Sequence, residues 1–193
     1  MVNKPKLAVF ASGTGSNLAA LLKAAQADTL GGDIVRVVID RKNAGAIAID
    51  EAANIPVLQI RYPTFESREA ADQEIVKTLE ATGILLAGYM RILTPYIVQA
   101  FEQRILNIHP TLLPSFPGNN AIADAWDAGV KVTGVTIHYV DTGVDSGQII
   151  TQTPVLISED EAIDELTARI HDAEHHLYPE TVAKLIKEGA FQA

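Results

Sequence analysis

Short apolar runs alternate with amphipathic stretches from one end of the chain to the other. The runs at 6–12 (KLAVFAS), 33–39 (DIVRVVI), 55–60 (IPVLQI), 84–90 (ILLAGYM), 104–108 (RILNI), 131–140 (KVTGVTIHYV) and 147–157 (GQIITQTPVLI) read as strands. Most are too uniformly apolar to keep one wet face, which is the pattern of strands buried on both sides. Between them, 17–27, 44–54, 66–82, 94–103 and 121–129 read as helices, the last with Gly129 just beyond its end. A long helical stretch follows Ser158, with capping-box spacing to Glu161 and an acidic first turn, and Pro179 is expected to kink or restart it. Strand–helix alternation predicts an α/β fold with a mostly parallel central sheet and helices on both faces. In such folds ligands bind beyond the carboxyl ends of the strands. No internal repeat or linker interrupts the pattern, so one domain over 1–193 is expected.

Composition narrows the choices. Hydrophobic residues make up 48% and charged residues 20%, enough for a real core, and no apolar run reaches the roughly 18–20 residues of a membrane helix. The N-terminal MVNKPKLAVFASG lacks the features of a secretion signal, which predicts a cytoplasmic protein. The absence of cysteine removes disulfides, thiolate nucleophiles and Cys-ligated zinc. A net charge of −9 argues against nucleic-acid partners and for small molecules held by local devices.

Two features carry chemistry. FASGTGSNLAALL is a strand, a glycine turn through Gly13 and Gly15, and a helix start whose free N–H groups suit a phosphate. Leu18 stands where the dinucleotide pattern needs a third glycine, and Gly-Lys-Ser/Thr is absent. Asp40 nevertheless ends the second strand roughly where a ribose-binding acid lies, leaving a dinucleotide-dependent oxidoreductase as an alternative. In RILNIHPTLLPSFPG, Asn107 and His109 point to one side of a strand while Ile108 turns inward. An amide can donate to an oxyanion and an imidazole can exchange protons, and Pro110, Pro114 and Pro117 restrict the loop that follows. A carboxylate from the distant loop HYVDTGVDSGQII, with Asp145 the choice, would raise the His109 pKa; Asp145–Ser146–Gly147 also reads as an ordinary turn.

SGTGSNL, SREA, LAGYMRIL, NIHPTLLPSFPG, TIHYVDTGVDSGQII and AEHHLYP occur in the order and approximate spacing of the phosphoribosylglycinamide formyltransferases, and the chain resembles that family over nearly its whole length. The resemblance implies a Rossmann-like formyltransferase fold and 10-formyltetrahydrofolate as cosubstrate, with no metal. It implies that the N-terminal part carries the ribonucleotide phosphate site and the C-terminal part the folate and catalytic site. Asn107, His109 and Asp145 would be catalytic. Gly13, Thr14, Gly15, Ser16, Asn17 and Glu174 would bind the ribonucleotide. Arg68, Met90, Arg91, Ile92, Leu93, Val98, Asn107, Val140 and Asp141 would face the folate, with the 140–145 loop over the pterin. Small molecules would be the partners, and a homodimer is left open.

Two departures and three rivals stand beside this. Ile122 replaces a histidine that some relatives carry nearby, and the connection before Ile84 is short, with only Thr82 and Gly83 at the strand start. His171 and His175 share a helix face in HDAEH, the spacing of a zinc motif, but Asp172 stands where that motif has Glu and no third ligand is evident. His138 reads as structural. Methionyl-tRNA formyltransferase and formyltetrahydrofolate hydrolase share the Asn/His/Asp set; Pro117–Gly118 departs from the Arg-Gly of the former, and the hydrolase differs in using water as acceptor.

Overall fold

A computed structural model of the chain describes residues 4–41 and 54–192. Seven strands form one sheet: Lys6–Ala11 (β1), Asp33–Ile39 (β2), Val57–Gln59 (β3), Gly83–Leu86 (β4), Ile105–His109 (β5), Val132–Tyr139 (β6) and Ile149–Leu156 (β7), in the order β3-β2-β1-β4-β5-β6-β7. The pairings from β3 to β5 are parallel, and β5–β6 and β6–β7 are antiparallel. The chain winds outward from β1 to β3 and then returns to place β4 on the other side of β1. The gap between the ends of β1 and β4 is therefore the topological switch point where such sheets bind ligands.

The helices are Ser16–Gln26 (α1), Arg68–Thr78 (α2), Pro95–Ala100 (α3), Ala121–Asp127 (α4) and Ile163–Lys187 (α5). The helix expected at 44–54 lies almost wholly outside the described residues. Alternation along β1 sends Leu7 and Val9 to one core with Leu18 and Leu21 of α1 and Ile170 and Tyr178 of α5, and Ala8 and Phe10 to a second core with Ile75 of α2 and Ile97 of α3. The sheet is thus covered on both faces, as the apolar runs predict. On β5, Leu106 and Ile108 face the first core, so Asn107 and His109 share the opposite side. Tyr178, fully buried, ties α5 to the sheet by donating to the carbonyls of Leu86 (3.1 Å) and Leu106 (3.2 Å).

Three expectations change. The strand at 84–90 stops at Leu86, and the remainder leaves the sheet through Gly88 at φ 70° to build a cavity wall. The long helix starts at Ile163; Ser158 N–H does donate to Glu161, but the acid that reaches back to the N-cap backbone is Glu165, to Ala162 N–H at 3.1 Å. Pro179 neither stops nor restarts α5: its ring offers no N–H to the carbonyl four residues back, but Tyr178 and Val182, both fully buried, pin the helix on either side. The short connection before β4 is accommodated by glycine. A Cβ on Gly83 would lie 2.2 Å from the Phe191 ring, so only glycine lets the chain enter the sheet directly beneath that aromatic.

Candidate functional site

Two cavities open beyond the carboxyl ends of the strands, and they adjoin. The first, about 240 Å³, starts at the glycine turn. Gly15 precedes α1 at φ 82°, a left-handed conformation that glycine adopts at no steric cost, and no side chain caps the helix. The first N–H groups of α1 are therefore free to meet an anion, with the positive end of the helix behind them. Gly13, Thr14, Gly15, Ser16 and Asn17 all line the space. A Cβ on Gly13 would meet nothing within 4 Å, so the backbone there is open to the cavity.

Glu174 of α5 faces the turn across this cavity. It is buried and accepts from Asn17 Nδ2 at 2.9 Å. Burial raises its pKa to about 7, against the opposing hydrogen bond from Asn17. His171, one helical turn earlier, also lines the cavity. It stacks on His175 with ring centroids 6.5 Å apart. The described residues contain no group of three or more His, Cys, Asp or Glu side chains able to hold a metal, and the pair in HDAEH has no third ligand among them.

Asn107 and Asp145 line both cavities. Asp145 sits in a left-handed conformation, φ 50°, that aims its carboxylate inward, and it collects partners from three segments. Its Oδ2 accepts from Gly118 N–H at 2.8 Å and lies 3.4 Å from His109 Nδ1. Its Oδ1 accepts from Asn107 Nδ2 at 3.3 Å and lies 3.7 Å from His138 Nε2. The His138 ring and the Gly118 N–H hold the Asp145 carboxyl down at about 2 despite its burial.

His109 is buried, with Nε2 on the Phe116 carbonyl at 2.9 Å. That bond fixes the tautomer and leaves Nδ1 as the nitrogen that exchanges protons, facing Asp145. The upward pull of Asp145 expected on the His109 pKa is present, but it is not the largest influence. Burial, the strongest influence, lowers the His109 pKa, and the Phe116 carbonyl and Asp145 pull it upward without prevailing. Asn107 also differs from expectation, because its amide hydrogens already point to Asp145 and to His138 Nε2, 3.2 Å away.

The second cavity, about 230 Å³, is walled by the segment after β4 and by the loop after β6. Met90 (49% exposed), Ile92 (55%) and Val144 (52%) show apolar surface to it, which is the mark of a binding site rather than of core packing. Arg91, Leu93, Val140 and Asp141 line it as well. Arg91 turns its guanidinium onto Asp40, Nε to Oδ2 at 2.7 Å, and over the Tyr62 ring. Asp40 is thereby paired with the segment after β4. Asp141 shapes the loop, accepting from Gly143 N–H (2.9 Å) and Ser146 Oγ (2.8 Å).

Two residues fall elsewhere than expected. Val98 is buried in the second core and lines neither cavity, and Arg68 donates to the Ile92 carbonyl. Ile122 packs at the margin of the first core. Sequence reading missed Tyr89 and Asn119, which line both cavities, and took His138 as structural. Antiparallel pairing puts His138 directly opposite Asn107, on the same face.

Two adjoining cavities that share one Asn–Asp pair, at the switch point of a Rossmann-like sheet, define an α/β group-transfer enzyme. The chain belongs to the formyl transferase family, whose profile matches residues 5–182. It is 40% identical to phosphoribosylglycinamide formyltransferase of Bacillus subtilis, covering 94% of each chain. It is 42% identical to the trifunctional purine biosynthetic protein adenosine-3 of Drosophila melanogaster over 97% of this chain, but spans only 14% of that longer protein. The crystal structure of phosphoribosylglycinamide formyltransferase from Bacillus halodurans superposes with a TM-score of 0.91 at 43% identity, covering 94% of this chain and 95% of that one. Glycinamide ribonucleotide transformylase 1 from Geobacillus kaustophilus gives a TM-score of 0.92 at 42% identity, over 95% and 99%.

Proposed function

We propose that this protein transfers the formyl group of 10-formyltetrahydrofolate to the amine of 5'-phosphoribosylglycinamide, in de novo purine biosynthesis. The observation that carries this reading is the meeting of an anion-suited cavity and an apolar-walled cavity at Asn107 and Asp145. The names of the relatives supply formyl transfer and the phosphoribosylglycinamide acceptor; the folate donor is what the family resemblance implies. The reading places the protein in the cytoplasm among small molecules.

The phosphate lies on the free N–H groups of 13–17, as an anion at a helix start should. Glu174, poised near neutrality by burial, receives the glycinamide end. The pterin enters the cavity of Met90, Ile92 and Val144, with the 140–145 loop above it. An apolar slot with a few placed polar groups suits such a ligand.

As the amine attacks the formyl carbon, the carbonyl oxygen gains negative charge. Asn107 swings one amide hydrogen from Asp145 onto that oxygen. The amine nitrogen sheds a proton through water to His109 Nδ1, which Asp145 stabilises as it becomes charged. The proton then passes to the departing folate nitrogen as its bond to carbon breaks. Proton count and charge close with no covalent enzyme intermediate.

The test is release of tetrahydrofolate from 10-formyltetrahydrofolate with and without the ribonucleotide. Amine-dependent release is the expected result. Equal release without the amine would mark a hydrolase, and none in either case would refute the proposal.

A further inference from the structure

Beneath the apolar cavity lies a polar network that the reaction does not use. Asp72 of α2 is fully buried, yet neither of its hydrogen-bond partners is a cation. Oδ1 accepts from the Tyr62 hydroxyl at 2.9 Å and Oδ2 accepts from Thr94 N–H at 2.8 Å. The Tyr62 hydroxyl is 3.0 Å from the Tyr89 hydroxyl. Since the single Tyr62 hydrogen goes to the carboxylate, the Tyr89 hydroxyl donates to the Tyr62 oxygen. One carboxylate therefore fixes both ends of the segment 89–94, directly at Thr94 and through one hydroxyl at Tyr89. Four residues earlier on the same face of α2, Arg68 donates to the Ile92 carbonyl in the middle of that segment.

A buried carboxylate is costly unless hydrogen-bonded, and an apolar residue here would leave the Tyr62 hydroxyl and the Thr94 amide without an acceptor. Segment 89–94 has left the sheet and has no ladder to hold it. Met90 and Ile92 stay exposed to the cavity, so side-chain packing does not anchor those two positions either, and the Met90 N–H bond to Ser12 Oγ (2.9 Å) holds only the start of the segment.

We propose that Asp72 is a positioning residue: through Tyr62 and the Thr94 amide it sets the shape of segment 89–94, and thereby the affinity of the apolar cavity for its ligand. The identity of that ligand as 10-formyltetrahydrofolate rests on the functional reading above; the strut itself does not.

Tyr62→Phe removes one hydroxyl and leaves the ring under Arg91. Asp72→Asn keeps the shape but turns one acceptor into a donor, which must face either Thr94 N–H or a Tyr62 hydroxyl forced to reverse. Two readouts decide. In steady-state kinetics, Tyr62→Phe is expected to raise the KM for 10-formyltetrahydrofolate about threefold to tenfold and Asp72→Asn about tenfold or more, with the ribonucleotide KM rising clearly less, because only Tyr89 and Met90 of the segment also line that cavity. In amide hydrogen exchange, residues 90–94 should exchange at least about tenfold faster in both variants, while 13–17 keep wild-type protection. Unchanged exchange at 90–94, or the two KM values rising equally, overturns the inference. Should Asp72→Asn fail to fold, Tyr62→Phe decides alone. A wild-type protein that does not turn over 10-formyltetrahydrofolate refutes the functional reading, and the exchange result still decides the strut.

Discussion

The cavity at the glycine turn is built around backbone, the free N–H groups at the start of α1 and a glycine in the left-handed conformation, with the buried Glu174 of α5 facing them and Tyr89, Met90 and His109 completing the wall. Its neighbour is walled by side chains on two segments that have left the sheet, three of them apolar and half exposed. The first takes its geometry from the strand–helix fold itself, and suits a compact anion. The second takes its geometry from contacts that hold loops in place, and suits a flat, largely apolar ligand. Fold determines one pocket; a handful of tertiary hydrogen bonds determines the other.

The residues at the seam, Asn107 and Asp145, line both pockets, and their loss should strike turnover more than the binding of either ligand. Asp145→Asn is expected to lower kcat by about 10³, with both KM values within about threefold, measured by tetrahydrofolate release. A change confined to one KM would assign Asp145 to a single pocket. Asn107→Ala should cost about 10²–10³ in kcat. Near-wild-type turnover there would remove the oxyanion role.

Glu174→Gln sharpens the contrast on the backbone side. The KM for the ribonucleotide should rise about tenfold, from loss of one charged contact, while the donor KM stays put. Stability should move the other way. With its pKa raised from 4.5 to about 7 by burial, folded Glu174 retains a proton that the unfolded chain releases. Its stability contribution is full below about pH 4.5 and falls as pH rises through about 7, by about 3 kcal/mol in total. Denaturant titration at pH 8 should therefore find the variant more stable than wild type, and at pH 4 no more stable. The smallest effect is predicted on the side-chain wall. Met90→Ala should raise the donor KM about threefold for the lost apolar contact, and change stability by less than about 0.5 kcal/mol because the side chain is half exposed already. A large stability loss would mean that Met90 is core.

The same contrast explains what sequence reading reached. Strands buried on both faces read as apolar runs, so the sheet and its two cores were legible, as were the glycine turn and the shared face of Asn107 and His109. Harder to see was where a strand ends. Residues 87–90 are as apolar as the strand before them, yet they turn away because Gly88 and the bonds to Ser12 divert the chain; Ser12 N–H donates to the Gly88 carbonyl, and Met90 N–H donates to Ser12 Oγ. His138 required knowing that β6 runs antiparallel to β5, which an apolar run does not say. Val98 fitted an apolar pocket by composition but points into the core. Arg91–Asp40 and the Asp72 network join residues far apart in sequence, and no local pattern marks them. The direction of the His109 shift also depended on depth of burial, which outweighed the visible carboxylate.

The central claim is that both substrates meet at Asn107 and Asp145. A crystal structure with the ribonucleotide and a non-transferable tetrahydrofolate bound together tests it most directly. The phosphate should lie on the amides of 13–17 and the pterin against Met90 and Ile92, with the amine and the folate nitrogen converging on the Asn107 side chain. Ligands that occupy one cavity in turn, or reacting atoms that converge away from Asn107 and Asp145, would contradict it.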